Sequence, residues 1–176
     1  MDSILIVPAI TAEVELLQKL ARLTFEESFA ASNTPEDMLL YTQQNFTIPK
    51  LTSELSNPDS EFYWAMNKLE PVGFLKLNYR KAQSELFNSK AVEIERIYVL
   101  KSSQGKNIGK QLLEQAIDSA KAVNAPFIWL GVWEENANAI SFYKHHGFEP
   151  FDKHNFKLGN AIQTDILMRL ELPAKK

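Results

Sequence analysis

The hydrophobic pattern switches several times between a helical period and the two-residue period of a strand, and the switches cut the chain into short elements. Ile4 to Val7 is a brief apolar run that predicts a strand, stopped by Pro8. From Thr11 a helix is expected, with Val14, Leu17, Ala21 and Phe25 on one face and Leu16, Leu20 and Leu23 widening it, until the Ser32-Asn33-Thr34-Pro35 break. Pro35-Glu36-Asp37 opens a second helix through Gln44, because proline suits a first helical turn and acids complement its dipole. Thr47 to Leu55 reads as a third helical piece, closed by Asn57-Pro58. Phe62 to Met66 and Val72 to Tyr79 are strand-like, and their short connection predicts an antiparallel pair. The polar stretch 81–90 reads as a surface loop.

Next comes the stretch that carries most of the chemistry. Glu93 to Leu100 is rich in β-branched and aromatic residues and predicts a strand; a polar loop follows. Ile108, Leu112, Leu113, Ala116, Ile117, Ala120 and Val123 then recur at helical spacing. Phe127 to Trp133 is another strand, and a helix capped by Asn136 or Asn138 should run to Gly147. Phe148 to Phe156 and Ala161 to Leu170 form a closing strand pair. With no repeat, low-complexity tract or linker, residues 1–176 read as one α+β domain: a mixed, mostly antiparallel sheet of about seven strands with helices on both faces.

Composition narrows the function classes. A chain of 176 residues with 45% hydrophobic and 23% charged side chains fits a single globular core. The formal charge of −3 argues against a general nucleic-acid binder, which needs a basic face. The absence of cysteine excludes disulfides, thiolate metal sites and a cysteine acyl-enzyme. Met1-Asp2-Ser3-Ile4-Leu5-Ile6-Val7-Pro8 is acidic and short in apolar residues for a signal peptide, and no later run is long enough to span a membrane, so the expected location is the cytoplasm. His145 and His146 diverge on a helix and His154 is isolated in sequence, so no metal site is expected.

Gln104-Gly105-Lys106-Asn107-Ile108-Gly109-Lys110 joins the central strand to its helix. Glycines there let a ligand approach the backbone, the first helical amides lack intrahelical partners, and two lysines add charge, so the loop reads as a phosphate or pyrophosphate site. It is not a P-loop, which needs Lys-Ser or Lys-Thr after its last glycine, nor a Gly-x-Gly-x-x-Gly dinucleotide fingerprint. It resembles the Gln/Arg-x-x-Gly-x-Gly/Ala signature of the GCN5-related N-acetyltransferases, whose loop amides hold the pyrophosphate of acetyl-coenzyme A. Asn107 stands where the middle glycine is usual, and asparagine tolerates the left-handed conformation. A second segment, Asn136-Ala137-Asn138-Ala139-Ile140-Ser141-Phe142-Tyr143-Lys144-His145-His146-Gly147-Phe148, is similar to the Asn-x-x-Ala-x-x-aromatic-Tyr-x-x-x-Gly-Phe segment of the same family.

The resemblance implies a direct acetyl transfer. Tyr143 would point at the acyl sulfur, Asn136 and Asn138 would contact the coenzyme, and a bulge would splay the central strand, freeing backbone near Ile97, Tyr98 and Val99 for the pantetheine arm. The chemistry fits independently, since a phenol of pKa about 10 can hydrogen-bond or protonate a leaving thiolate whose acid has pKa about 8.5. The alternative for Tyr143 is a core tyrosine packed with Ala139 and Ile140. Glu93 and Glu95 share a strand face, and burial there needs a reason: Glu95 first, then Glu93, is a candidate base for the attacking ammonium, the alternatives being ion pairing with Arg80 or Lys76, or exposure.

Thr-Phe-Glu-x-Ser-Phe from Thr24, the Glu-Ile-Glu-Arg-Ile-Tyr-Val run, Ile128 to Glu134 and Gln163-Thr164-Asp165 resemble the PaiA-type bacterial spermidine/spermine N-acetyltransferases. That implies a polyamine acceptor; a peptide, amino-acid or antibiotic amine, or a non-catalytic coenzyme-binding role, are the alternatives. Spaced carboxylates and aromatic faces suit a polycation, which nominates Glu26, Glu27, Phe29 and Trp133 for acceptor binding. Strand edges at Phe127 to Trp133 and Ala161 to Leu170 are expected to be available for pairing in a homodimer.

Overall fold

Seven strands make one sheet: β1 (Ile4–Pro8), β2 (Ser60–Asn67), β3 (Glu70–Tyr79), β4 (Val92–Val99), β5 (Phe127–Trp133), β6 (Glu149–Leu158) and β7 (Ala161–Glu171), in the spatial order β1-β2-β3-β4-β5-β7-β6. The computed structural model describes residues 3–175; Met1, Asp2 and Lys176, which the sequence reading places in the single domain, lie outside them. Neighbouring strands are antiparallel except β4 and β5, whose parallel pairing accommodates the crossover helix α4 (Ile108–Ala122). Helix α4 and α5 (Ala137–His145) cover one face, burying Leu112, Leu113, Ala116 and Tyr143 against Leu75, Leu77, Ile94 and Leu130. Helices α1 (Val14–Phe29), α2 (Pro35–Asn45) and α3 (Ile48–Ser56) cover the other through Leu17, Leu20, Phe25 and Leu51. Each fully buried Leu or Phe of this kind contributes about 1.5–3 kcal/mol.

Local signals start the helices where the pattern places them. The side chains of Thr34 and Thr47 accept from the amides of Asp37 and Lys50, and Pro35 and Pro49 sit in the first turns of α2 and α3. The β2–β3 connection is tighter than the polar run suggests: Lys68, at φ 56°, turns the chain, and Pro71 is absorbed into β3 at a bulge opposite Met66.

The decisive irregularity lies in β4. Lys76 faces Arg96 while Leu77 faces Ile94, so Glu95 is an extra residue with no partner on β3. A bulge of this kind puts two successive side chains on one side. Glu93, Glu95, Arg96 and Tyr98 therefore share the α1–α3 face, whereas Val92, Ile94, Ile97 and Val99 pack towards α4 and α5. Pairing between β4 and β5 stops after Ile94 and Leu130, so the two strands part and the backbone of β4 from Glu95 onward is unpaired on the β5 side.

The expected dimer edges are corrected by the strand order, since β5 lies between β4 and β7, and β7 between β5 and β6. The outer strands are β1 and β6, and β6 carries Pro150, Asp152, Lys153 and Lys157 together with a bulge, features that oppose edge-to-edge pairing.

Candidate active site

The parting of β4 and β5 opens the sheet between two cavities. On the α4–α5 side a cleft of about 470 Å³ is lined by Ile97, Val99, Gln104, Gly105, Asn107, Ile108, Gly109, Lys110, Asn136, Asn138, Ala139, Phe142 and Tyr143. On the α1–α3 side a cavity of about 320 Å³ runs from Phe29 and Tyr41 over Glu93, Glu95 and Arg96 to His154 and Asp165. A narrower space of about 190 Å³ between them is lined by Ile94, Glu95, Ile97, Tyr98, Gly131, Trp133 and Tyr143.

The cleft is an anion cradle by construction. Gly105 and Asn107 both hold positive φ, 77° and 62°, and Asn107 caps α4 without a side-chain hydrogen bond. Among the described residues, the first-turn amides of α4 are thus left without an intrahelical or capping partner at the positive end of its dipole. Asparagine takes the left-handed conformation that the loop requires at position 107. The side chain of Tyr98 lines the opposite cavity, which leaves its backbone, the part expected to meet the pantetheine arm, at the parted edge of β4, and Lys106 turns to the Ser102 carbonyl at 3.4 Å.

Asn136 caps α5 by accepting from the Ala139 amide at 3.1 Å, and Gly147, at φ 90°, ends the helix region. This places Tyr143 at the floor of the cleft, where it also faces the connecting space. Its hydroxyl has no hydrogen-bond partner among the described residues, and burial pushes its phenol up, so it stays protonated.

Across the sheet, eight aromatic side chains (Phe25, Phe29, Tyr41, Phe46, Tyr98, Trp129, Trp133 and Phe156) enclose the second cavity. Phe29 and Trp133 stand 6.4 Å apart between ring centroids, and Tyr41 stacks on Phe25 at 4.4 Å. The lining carboxylates Glu85, Glu93, Glu95 and Asp165 outnumber the fixed cations Arg96 and Lys157, so the cavity favours a cation. Gln163 Oε1 is buried there without a hydrogen-bond partner among the described residues and would accept from an N–H donor. Glu26 and Glu27 do not belong to this wall: both are exposed, and Glu27 accepts from the Lys101 amide at 2.8 Å. Their helix turns Phe25 and Phe29 inward, which necessarily points the intervening acids out.

The strand carboxylates are both committed. Burial raises the Glu93 carboxyl, and its oxygens accept from the Ser84 amide and hydroxyl and from Asn78 Nδ2. Burial acts the same way on Glu95, but Arg96 and Lys76 outweigh it and hold this group at about 2. Its ion pairs thus favour the ionised form of Glu95, which counts against the expectation that ranks it ahead of Glu93 as the base. The polar segment 80–91 is not a passive surface loop either. Gln83 accepts from Trp129 Nε1 at 2.9 Å, Ser84 holds Glu93, and Phe87 packs edge-on against Trp129 at 5.1 Å.

His154, isolated in sequence, is flanked in space. Its Nδ1 meets Glu85 Oε1, and its Nε2 lies 3.2 Å from Asp165 Oδ2. The signal was available only as alternation along a strand pair, since His154 and Asp165 are opposite residues on β6 and β7. Among the described residues no group of three or more His, Cys, Asp or Glu side chains is arranged to hold a metal ion, and no helix is long and apolar enough to cross a membrane.

Comparison with known proteins agrees with this geometry. The sequence profile described as the acetyltransferase (GNAT) family matches residues 15–148. An uncharacterised N-acetyltransferase from the pepI 3′ region of Lactobacillus delbrueckii subsp. lactis is 40% identical over 153 residues, 87% of this chain and 88% of its own. The fold is similar to the PaiA N-acetyltransferase of Thermoplasma acidophilum, solved with coenzyme A: TM-score 0.80, 24% identity, 97% of this chain and 99% of that one. It is similar as well to a ribosomal-protein-alanine N-acetyltransferase from Brucella melitensis, at TM-score 0.73 and 20% identity over 96% of this chain and 99% of that one.

Proposed function

Because the chain belongs to the acetyltransferase (GNAT) family, and is an enzyme of that kind, we propose that it moves an acetyl group directly from acetyl-coenzyme A to a primary amine of a polyamine such as spermidine or spermine. The observation that carries this reading is the aromatic, acidic cavity meeting the anion cradle at the parted strands. The unpaired amides of the α4 first turn, with Gly105 and Lys110, suit the pyrophosphate, and the open edge of β4 at Ile97 and Val99 suits the pantetheine amides. Phe29, Tyr41 and Trp133 offer faces to an ammonium and its methylene chain, with Glu93, Glu95 and Asp165 supplying the charge.

Tyr143 acts at sulfur. With its phenol raised by burial, full transfer of its proton to a thiolate of conjugate pKa about 8.5 is uphill, so its contribution is a hydrogen bond to the charge that develops there. Purified protein with acetyl-coenzyme A and spermidine, spermine, lysine or a lysine peptide tests the acceptor by release of free thiol. Release with the polyamines alone is the expected result. Release with lysine or the peptide instead would move the acceptor class, and release with none would leave a coenzyme-binding protein without this activity.

The cradle has its own test. A Cβ on Gly109 would lie 3.8 Å from Phe142 Cζ, so the position tolerates it sterically, and a valine there projects its methyl groups into the cleft. Gly109→Val is expected to weaken coenzyme A at least tenfold by calorimetry, about 1.4 kcal/mol, with the circular dichroism spectrum retained. Unchanged affinity would place the pyrophosphate elsewhere.

A further inference from the structure

The ammonium of an amine acceptor must lose a proton before it can attack, and the two β4 carboxylates are engaged in other bonds. Glu93 is held by Ser84 and Asn78, and Glu95 by Lys76, Arg96 and Asn78. One titratable cluster on the same cavity wall takes no part in that array: Glu85, His154 and Asp165.

Its placement is set by Gly131. This residue lies on β5 where β4 has already turned away, and it lines both the acceptor-side cavity and the connecting space. A Cβ on Gly131 would stand 3.3 Å from Asp165 Oδ2 and 3.6 Å from His154 Nε2. The imidazole nitrogen and the carboxylate oxygen therefore hang directly over the gap in the sheet. Side-chain exposure rises outward along the cluster, from 14% at Asp165 through 26% at His154 to 37% at Glu85, so its outer end reaches water.

We propose that His154 is the base that deprotonates the acceptor amine, with Glu85 orienting its ring through Nδ1 and Asp165 holding the ammonium beside Nε2. The inference rests on the amine-acetylation reading above. In this step the neutral ring keeps its proton on Nδ1, donated to Glu85, so that the Nε2 lone pair lies beside Asp165 Oδ2, 3.2 Å away, where an ammonium held by that carboxylate reaches it. An ammonium N–H bond breaks and the proton passes to Nε2. The freed nitrogen pair attacks the thioester carbonyl, so that the C–N bond forms and the C–S bond breaks with its electron pair going to sulfur. The second nitrogen proton ends on that sulfur, beside the Tyr143 hydroxyl, and the imidazolium returns its proton to water. One acetamide, one thiol and one released proton balance the ammonium and thioester consumed.

The surroundings favour this assignment. Burial works against protonation of His154, but Glu85 and Asp165 outweigh it and push the imidazole above its ordinary value of about 6.5, which strengthens it as a base. The charged and titratable groups lining the cavity around the ring are Glu85 from the 80–91 segment, Asp165 from β7, Lys157 from β6, Glu93, Glu95, Arg96 and Tyr98 from β4, and Tyr41 from α2. The two nearest are both anions.

The test is the pH dependence of kcat, which reports groups in the substrate-bound enzyme, followed by thiol release with whichever amine the wild type acetylates. The wild type should rise to a plateau through a single acid limb with its midpoint above about 6.5. Asp165→Asn and Glu85→Gln should each move that midpoint to lower pH, because each removes an anion that favours the imidazolium. His154→Gln should abolish the limb and lower the plateau at least tenfold, with coenzyme A affinity unchanged. A His154→Gln enzyme that keeps the parental limb overturns the assignment, whatever its plateau. So does a parental midpoint in both Asp165→Asn and Glu85→Gln, the latter changing a half-exposed side chain at the outer end of the cluster. If another amine replaces spermidine as acceptor, the polyamine reading alone fails. A wild type silent with every amine removes the acetylation reading and this base together.

Discussion

Tyr143→Phe should lower kcat about a hundredfold, ~2.7 kcal/mol of barrier, while coenzyme A affinity stays within about a factor of two. The expectation follows from where the hydroxyl sits. The ring is packed edge-on against Phe142 at 5.3 Å and tilted against Phe148 at 5.8 Å, contacts that phenylalanine would keep. What disappears is a single unpartnered hydroxyl facing the space between the two cavities. An interaction made with a developing thiolate and with little else is lost from kcat rather than from ground-state binding. Because burial pushes the phenol up, the wild-type rate should show no descending limb from this group below about pH 10. A variant as fast as the wild type would return Tyr143 to the role of a core side chain. Tyr98→Phe is the control, since its phenol is also raised by burial and faces the same space from β4.

The elements were largely legible because each is announced by its own local chemistry. Phe127 to Trp133 is an unbroken apolar run bounded by Pro126 and Glu134, and the strand matches those limits. Asn136 and Gly147 bracket α5 as cap and left-handed terminator. The Gln104 to Lys110 segment was legible for the same reason: anion binding at a helix start depends on a few consecutive backbone groups. The strand order was not. It depends on pairings between residues far apart in the chain, and a reading that takes consecutive strands as neighbours leaves β7 as an edge, whereas β7 inserts between β5 and β6.

The acceptor side was legible in residue types and not in arrangement. A strict two-residue period puts Glu93 and Glu95 on one face and Arg96 on the other. The bulge at Glu95 brings Arg96 round to the carboxylate side, where it pairs with Glu54 at 2.7 Å, and the same shift fixes Glu95 in an ionised state. Nothing in the residues of β4 alone announces the extra position. The 80–91 segment is a similar case, since its polar composition gives no sign that Ser84 and Glu85 reach the cavity.

Glu54→Ala should destabilise the fold by about 3–5 kcal/mol, because it removes one of the two carboxylates, Glu54 and Glu95, that bridge two buried cations and leaves those cations in excess. Glu54, on α3, accepts from Arg96 Nη1 and Nη2 at 2.7 and 3.3 Å and lies 3.2 Å from Lys76 Nζ. Lys76 and Arg96 are only 4% and 6% exposed, so neither can turn to water when its partner is removed. At about 2–4 °C per kcal/mol for a chain of this size, the midpoint of thermal unfolding should fall by roughly 10 °C. A drop of under 1 kcal/mol would mean that the array behaves like a solvated surface pair. Removing a cation as well, in Lys76→Met with Glu54→Leu, should recover most of the loss, since the penalty comes from an unbalanced buried charge. The array also sets acid stability. Arg96 and Lys76 depress the Glu95 carboxyl in the folded state, so its contribution is fully present above the unfolded value of about 4.3 and is lost as pH falls towards about 2. Lys76→Met should therefore flatten the loss of stability between those pH values. Because the same residues hold the bulge, loss of acceptor affinity in Glu54→Ala with coenzyme affinity intact would show that the ion array shapes the acceptor side specifically.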